Sequence, residues 1–175
     1  MPDMLVKLYD LPPLEPAIAC QRERGLTIRR GMPPEKHLVT RWIGERFSDY
    51  WRSEADVAFS VHPTTIMLAH RRDILLGFAC YDTTYKGFFG PTGVDETEQG
   101  QGIGTALLLK CLHEMRHVGY MYAIIGWAGP TGWYEKAVGA VAIPDTEPSR
   151  SYLGLLGTDA VFHAGAPGGS FLESP

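Results

Sequence analysis

The sequence predicts an α/β (α+β) fold, on three observations. Apolar runs at 66–69, 74–81 and 85–94 read as a strand meander, a glycine-rich turn at 99–104 leads from the last run into a helix with one apolar face, and the apolar run 122–128 is followed by a second helical stretch. A chain of 175 residues with 45% hydrophobic and 21% charged residues is long enough for one core and short for two. A single domain is therefore expected over 1–175, with 1–25 as a leader and 165–175 as a loose tail. The formal net charge is −4 with no basic block, which argues against a nucleic-acid partner. No apolar run approaches the ~18 residues of a membrane span and the N-terminus lacks a signal pattern, so a cytoplasmic protein with no membrane partner is expected. Cys20, Cys80 and Cys111 are odd in number and far apart, as reduced thiols would be.

In chain order, Met4 to Leu11 alternates loosely as a strand until Pro12, Pro13 and Pro16 interrupt it. Leu26 to Arg30 reads as the first sheet strand. Pro34 and Glu35 open a helix through Phe47, with Leu38, Trp42 and Ile43 at helical spacing, and a second helix spans Asp49 to Ala58. Two strand runs around His70-Arg71-Arg72-Asp73 have a hairpin signature. After Ala140, Val141 to Ile143 and Ser151 to Leu156 suggest a final antiparallel pair.

The turn Gln99-Gly100-Gln101-Gly102-Ile103-Gly104-Thr105 has the chemistry of an anion cradle. Glycines let a ligand approach the main chain and allow φ > 0. The first turn of the helix Ile103 to His117 leaves amide donors unpaired at an end carrying about half a positive charge, which suits a phosphate. The Walker pattern fails because Thr105 and Ala106 follow Gly104 with no lysine. The dinucleotide fingerprint fails on its glycine offsets and on the apolar Ala123-Ile124-Ile125 where a ribose-binding acid should stand.

The residues do match Gln/Arg-x-x-Gly-x-Gly/Ala through Gln99, Gly102 and Gly104, with Val94 upstream, and Trp133-Tyr134-Glu135-Lys136-Ala137-Val138-Gly139-Ala140 is similar to an aromatic-Tyr-Glu-Lys-x-x-Gly-Phe signature. Together these resemble the GNAT superfamily of acyl-CoA-dependent N-acyltransferases. The resemblance implies a mixed, mostly antiparallel sheet of about seven strands flanked by helices, splayed between the fourth and fifth strands to hold an acyl arm. It implies acetyl-CoA as co-substrate, with its pyrophosphate on the amides of Gln99 to Thr105 and its pantetheine arm along the main chain of Val94. It implies Tyr134 as the general acid that protonates the departing thiolate, and the N–H of Val94 on the thioester carbonyl. No metal is implied. Paired helices after the first strand are where the family contacts its acceptor, which makes Trp42, Tyr50 and Trp51 candidates for the pocket of a small primary amine.

Deprotonating that amine needs a base or water. Asp82, at the end of an apolar strand, is the candidate base; before Thr83 and Thr84 it also reads as a turn former. Where family members often carry Asn, seven residues before the tyrosine, stands Trp127, a second aromatic surface that would suit a sugar-like acceptor such as an amino sugar, or a core residue. A non-catalytic acyl-CoA sensor is the alternative on the same fold. His113-Glu114-Met115-Arg116-His117 also matches the zinc-protease motif His-Glu-x-x-His, but at ~100° per residue both histidines lie opposite the apolar face of Leu108, Cys111, Leu112 and Met115. The leader and tail could complete a dimer sheet, so a homodimer stays open.

Overall fold

A computed structural model describes residues 1–157. Its strands are β1 (Met4–Lys7), β2 (Thr27–Arg30), β3 (Ile66–Arg71), β4 (Ile74–Tyr81), β5 (Phe88–Val94), β6 (Tyr122–Ile125) and β7 (Val141–Ala142). The helices are α1 (Leu14–Glu23), α2 (Lys36–Arg46), α3 (Asp49–Phe59), α4 (Ile103–His117) and α5 (Thr131–Val138). The strands form one seven-stranded sheet in the order β2-β3-β4-β5-β6-β1-β7. Every pairing is antiparallel except β5 with β6, which run parallel. The expected tail, 165–175, lies outside the described residues. Among the described residues no helix is long and apolar enough to cross a membrane.

The β5–β6 seam makes this sheet a frame for a site. Only Phe88 with Ile124 and Phe89 with Ile125 are in register before the strands part. Counted from β2, these are the fourth and fifth strands. β6 stops at Ile125 because Gly126 and Trp127 turn the chain away, Trp127 with φ +52°. β5 runs on to Val94 against β4.

The core forms on both faces of the sheet. One side packs α4 through Leu107, Leu108, Cys111, Leu112 and Met115 onto Met67, Ala69 and Ala79. The other packs Val39 and Ile43 of α2 and Ala55, Ala58 and Phe59 of α3 onto Ile66, Leu68, Phe78 and Cys80. Within α2 the inward residues are Val39, Thr40 and Ile43, whereas Leu38 faces solvent at 57% exposure.

Two readings of the termini are corrected. The pair expected from 141–143 and 151–156 does not form: β7 pairs with β1, and 151–157 is a run of turns. The N-terminal strand occupies that place, inserted between β6 and β7, with Met4, Val6 and Leu8 fully buried. The prolines at 12–16 do not end regular structure but open α1. Pro16 falls in its first turn, where an amide would be unpaired in any case.

Met4 is fully buried, so Met4→Ala should cost about 2–5 kcal/mol of unfolding free energy. Urea denaturation measures this, and a loss below ~0.5 kcal/mol, the level of a surface change, would mean that the strand is not part of the core.

Candidate functional site

Gln99 to Thr105 wraps the N-terminus of α4. Gly100 and Gly102 take φ of +71° and +79°, the left-handed region that glycine enters without penalty. The backbone ladder of the helix begins with the Ala106 N–H donating to the Gly102 carbonyl at 3.1 Å, so the amides of Ile103, Gly104 and Thr105 precede it. The turn is held from behind by α1. Gln21 Nε2 and Arg24 donate to the Gln101 carbonyl at 2.9 and 2.7 Å, and Arg24 also reaches Gln101 Oε1 at 2.5 Å. With that carbonyl pinned outward, the amides have a fixed orientation before any ligand arrives.

Gly104 is informative because its backbone φ is helical and needs no glycine. A Cβ there would stand 3.7 Å from both Trp133 and Val94, ordinary contact, so the protein itself would tolerate one. The position lines a cleft of about 200 Å³. A Cβ would fill space in that cleft, which fits a ligand that must touch the main chain.

The acids of the turn are matched by arginines. Arg71 binds both oxygens of Glu98 at 2.9 and 3.2 Å and holds its carboxyl below the usual range. Asp95 accepts from the Thr97 hydroxyl and from Arg46 Nε at 2.9 Å, which lower its pKa in that order. The basic tip of the β3–β4 hairpin thus spends Arg71 on Glu98.

The same cleft is lined by Val94, Gln99, Gly104, Trp51, Trp127 and Tyr134. Gly100, Gln101, Gly102, Ile103 and Thr105 complete the turn at its end. Gln99 Nε2 donates to the Val94 carbonyl at 3.3 Å, tying turn to strand. Tyr134 stands in the first half of α5, edge-on to Phe89 with centroids 6.5 Å apart and against Trp133 at 4.7 Å. Burial pushes its phenol well up, so it stays protonated at neutral pH, the form a proton donor needs. The Trp127 ring faces Tyr152 at 5.6 Å, and its backbone N–H donates to Asp3 Oδ1 at 2.8 Å.

Trp42 and Asp82 are not among the lining residues. Trp42 packs edge-on to Phe47 and Phe78 beneath the Arg46 guanidinium, 4.9 Å from its ring. Asp82, at φ +59°, accepts from the Gly87 N–H at 2.7 Å and the Tyr120 hydroxyl at 3.0 Å, with Lys86 at 3.6 Å, so its carboxylate closes the β4–β5 turn. In the His-Glu-x-x-His stretch, His113 meets the Pro12 carbonyl at 2.9 Å, Glu114 pairs with Arg30 at 2.6 Å and Lys110 at 2.8 Å, and His117 is exposed.

Sequence reading missed Glu54, Thr84 and Tyr152, which also line the cleft. Glu54 Oε1 accepts from the hydroxyls of Thr84 and Tyr152. A signal for Glu54 existed: it lies three and four residues after Trp51 and Tyr50, hence on their face of α3. Tyr152 carried none, because it reaches the site from a turn far along the chain.

The wall formed by Trp51 depends on Gly93. Trp51 stacks on Phe47 at 5.2 Å, and a Cβ at Gly93 would come within 2.5 Å of the Phe47 ring. Gly93→Ala should therefore displace Phe47 and cost about 1–3 kcal/mol, with a shift in tryptophan emission as Trp51 loses its stacking partner. Unchanged stability and emission would contradict this packing.

Comparison with known proteins follows the same lines. The model of the acetyltransferase (GNAT) family matches residues 34–140. Among solved structures, the chain resembles a GCN5-related glucosamine N-acetyltransferase region of a fungal multi-domain GH3 β-N-acetylglucosaminidase, at TM-score 0.66 and 13% identity over 81% of this chain and 19% of that one. It resembles a GCN5-related N-acetyltransferase from Sphaerobacter thermophilus at TM-score 0.56 and 20% identity, over 81% of this chain and 48% of that one. A GNAT family acetyltransferase from Brucella melitensis, in complex with acetyl-CoA, matches at TM-score 0.44 and 21% identity over 54% of this chain and 70% of that one. The chain spans less than half the length of the first two, and at these identities the likeness is one of fold. No curated protein matches. With the family model covering more than half of its residues, including the glycine turn and the Tyr134 helix, the chain belongs to the GNAT acetyltransferase family.

Proposed function

We propose that the protein transfers an acetyl group from acetyl-CoA to a primary amine of a small molecule, an amino sugar being the favoured class, by direct attack within a ternary complex. The observation that carries this reading is one cleft lined at once by Val94, Gln99 and Gly104 of the strand and turn and by Tyr134 of α5. A diphosphate would sit on the amides of Gln99 to Thr105, and the acyl arm would follow the exposed edge of β5 past Val94 into the gap beside β6.

In that arrangement the amine nitrogen attacks the thioester carbonyl, whose developing charge falls to the Val94 N–H. The departing sulfur takes a proton from Tyr134, which its burial keeps protonated. Aromatic rings of Trp51, Trp127 and Tyr152 line the acceptor end and offer flat apolar surfaces of the kind that stack on a pyranose ring. Their presence supports the amino-sugar preference.

Calorimetric titration with acetyl-CoA, with ATP and NAD as controls, tests the co-substrate. Gly104→Val should weaken acetyl-CoA binding at least tenfold in folded protein, because its branches enter the cleft while helical φ is kept. Gly102→Val is the poorer probe, since φ +79° strains any side chain there. Tyr134→Phe should lower kcat by about 10²–10⁴-fold, the range for a lost acid catalyst, and leave acetyl-CoA affinity unchanged. Unchanged turnover would remove Tyr134 from the mechanism.

A further inference from the structure

Among the described residues that line the cleft, Glu54 is the one charged side chain. It is half-buried, and among the described residues the groups bonded to it are hydroxyls: Thr84 and, at 3.3 Å, Tyr152, both on Oε1. Among the described residues no lysine, arginine or histidine forms an ion pair with it, although arginines neutralise Asp95 and Glu98, the neighbours in sequence of the lining residues Val94 and Gln99. A carboxylate withdrawn from water with only hydroxyl donors keeps an unmatched charge, and a cation that enters the cleft would complete the site. The rings of Tyr50, Trp51, Phe88, Trp127 and Tyr152 line that cleft as well. Such walls favour a cation on a flat or apolar body.

We propose that Glu54 receives the ammonium group of the acceptor and takes its proton, so that the acceptor is a monocationic primary amine on a flat or apolar-faced body. This deepens the acyl-transfer reading and rests on it. One carboxylate matches one positive charge. A polyamine or aminoglycoside would press further cations against rings that carry no second counter-charge among the described residues, and an α-amino acid would set its own carboxylate near Glu54.

The step balances as follows. Glu54 accepts one proton from R–NH3⁺, and the freed lone pair forms the N–C bond to the thioester carbonyl. The C–S bond breaks with its electron pair on sulfur, and the Tyr134 hydroxyl protonates that sulfur. The second proton lost by nitrogen restores Tyr134 through solvent, and Glu54 gives up its proton to solvent. The sum is ammonium plus acetyl thioester giving amide, thiol and one proton.

Among the described residues the titratable groups facing Glu54 are the Tyr152 phenol, from the turns after β7, and the buried Cys80 thiol of β4. Burial pushes both upward, so neither ionises near neutrality. Burial also raises the Glu54 carboxyl, against the pull of Thr84 and Tyr152. The acid limb of kcat/KM therefore belongs to Glu54 and lies above the ordinary carboxylate range: activity falls as pH drops through the raised pKa.

The test titrates coenzyme A-saturated protein with glucosamine and phenethylamine, with glucose and 2-phenylethanol as their uncharged analogues, and with spermidine and glycine. At least one monocationic amine should bind tenfold or more tightly than its uncharged analogue, and more tightly than spermidine or glycine. Glu54→Gln keeps an acceptor oxygen for Thr84 and Tyr152. It should abolish the preference for charge, flatten the acid limb measured with the preferred amine, and leave acetyl-CoA affinity unchanged. Equal binding of amine and uncharged analogue overturns the proposal without any variant, as does tighter binding of spermidine or glycine, or an unaltered preference in Glu54→Gln. Wild-type protein that binds acetyl-CoA but neither monocation overturns this proposal alone. Protein that binds no acetyl-CoA overturns the acyl-transfer reading beneath it.

Discussion

The parting of β5 from β6 is the constraint on which the site depends. Two residue pairs hold the strands in register, Phe88 with Ile124 and Phe89 with Ile125, and past them the sheet opens. Among the described residues no strand pairs with β5 on that side past Phe89, and a backbone edge without a strand beside it needs other partners, a ligand or water among them. The opening is fixed by packing. A Cβ at Gly126 would stand 3.0 Å from the Phe88 ring, so glycine lets the chain leave β6 at that point without displacing the ring. On the other side, Gly77 lets β4 approach β5 where a Cβ would stand 3.0 Å from the Gly93 carbonyl and 3.2 Å from Leu107. These close approaches join the open edge of β5 to the helix whose first turn forms the glycine cradle.

The N-terminus stabilises the opposite wall. Without β1, strand β6 would end the sheet with an unpaired edge beside the cleft. β1 covers it, and the chain ahead of the strand continues the work. The Pro2 carbonyl accepts from the Ala128 N–H at 2.8 Å, and Asp3 binds both the Trp127 N–H and the Ser151 hydroxyl. Trp127 at φ +52° carries backbone strain on the order of 1–3 kcal/mol. It persists because its amide is fixed by Asp3 and its ring is packed on Tyr152, the residue that also reaches Glu54. A segment that the sequence leaves as a leader therefore sets the geometry of the acceptor end.

What was legible in the sequence is what depends on neighbours in the chain. The β3–β4 hairpin, the β5–turn–α4 unit and the helix that carries Tyr134 are each specified within about thirty residues, through alternation, helical spacing and glycines at positive φ. The insertion of β1 between β6 and β7 was not legible, because it joins residues more than a hundred positions apart, and alternation in Met4–Lys7 says which face is buried but not which strands flank it. Helix α1 was hidden by its prolines, which break helices in the interior and are tolerated in the first turn. Asp82 and Glu54 show the same limit for single residues. Both are acids near apolar neighbours, and only tertiary structure shows that one carboxylate is consumed by Gly87, Tyr120 and Lys86 while the other lines the cleft.

Charge along the cleft follows from that distribution. At the glycine turn, Arg71 and Arg46 arrive from β3 and α2 to neutralise Glu98 and Asp95, so acids beside the cradle do not oppose the positive end of α4. The lining that follows is mostly aromatic and aliphatic, with Thr84 and Thr92 among it, and the one formal charge among its described residues is Glu54 on α3. A low-dielectric passage with a positive dipole at one end and a carboxylate at the other distinguishes its two ends for any charged ligand, since electrostatic differences are weakly screened where water is excluded. On the proposed reading, an anionic acyl donor and a cationic acceptor are each favoured at one end and opposed at the other. The ammonium held by Glu54 would then face the thioester arriving from the cradle, without either substrate having to be selected by shape alone.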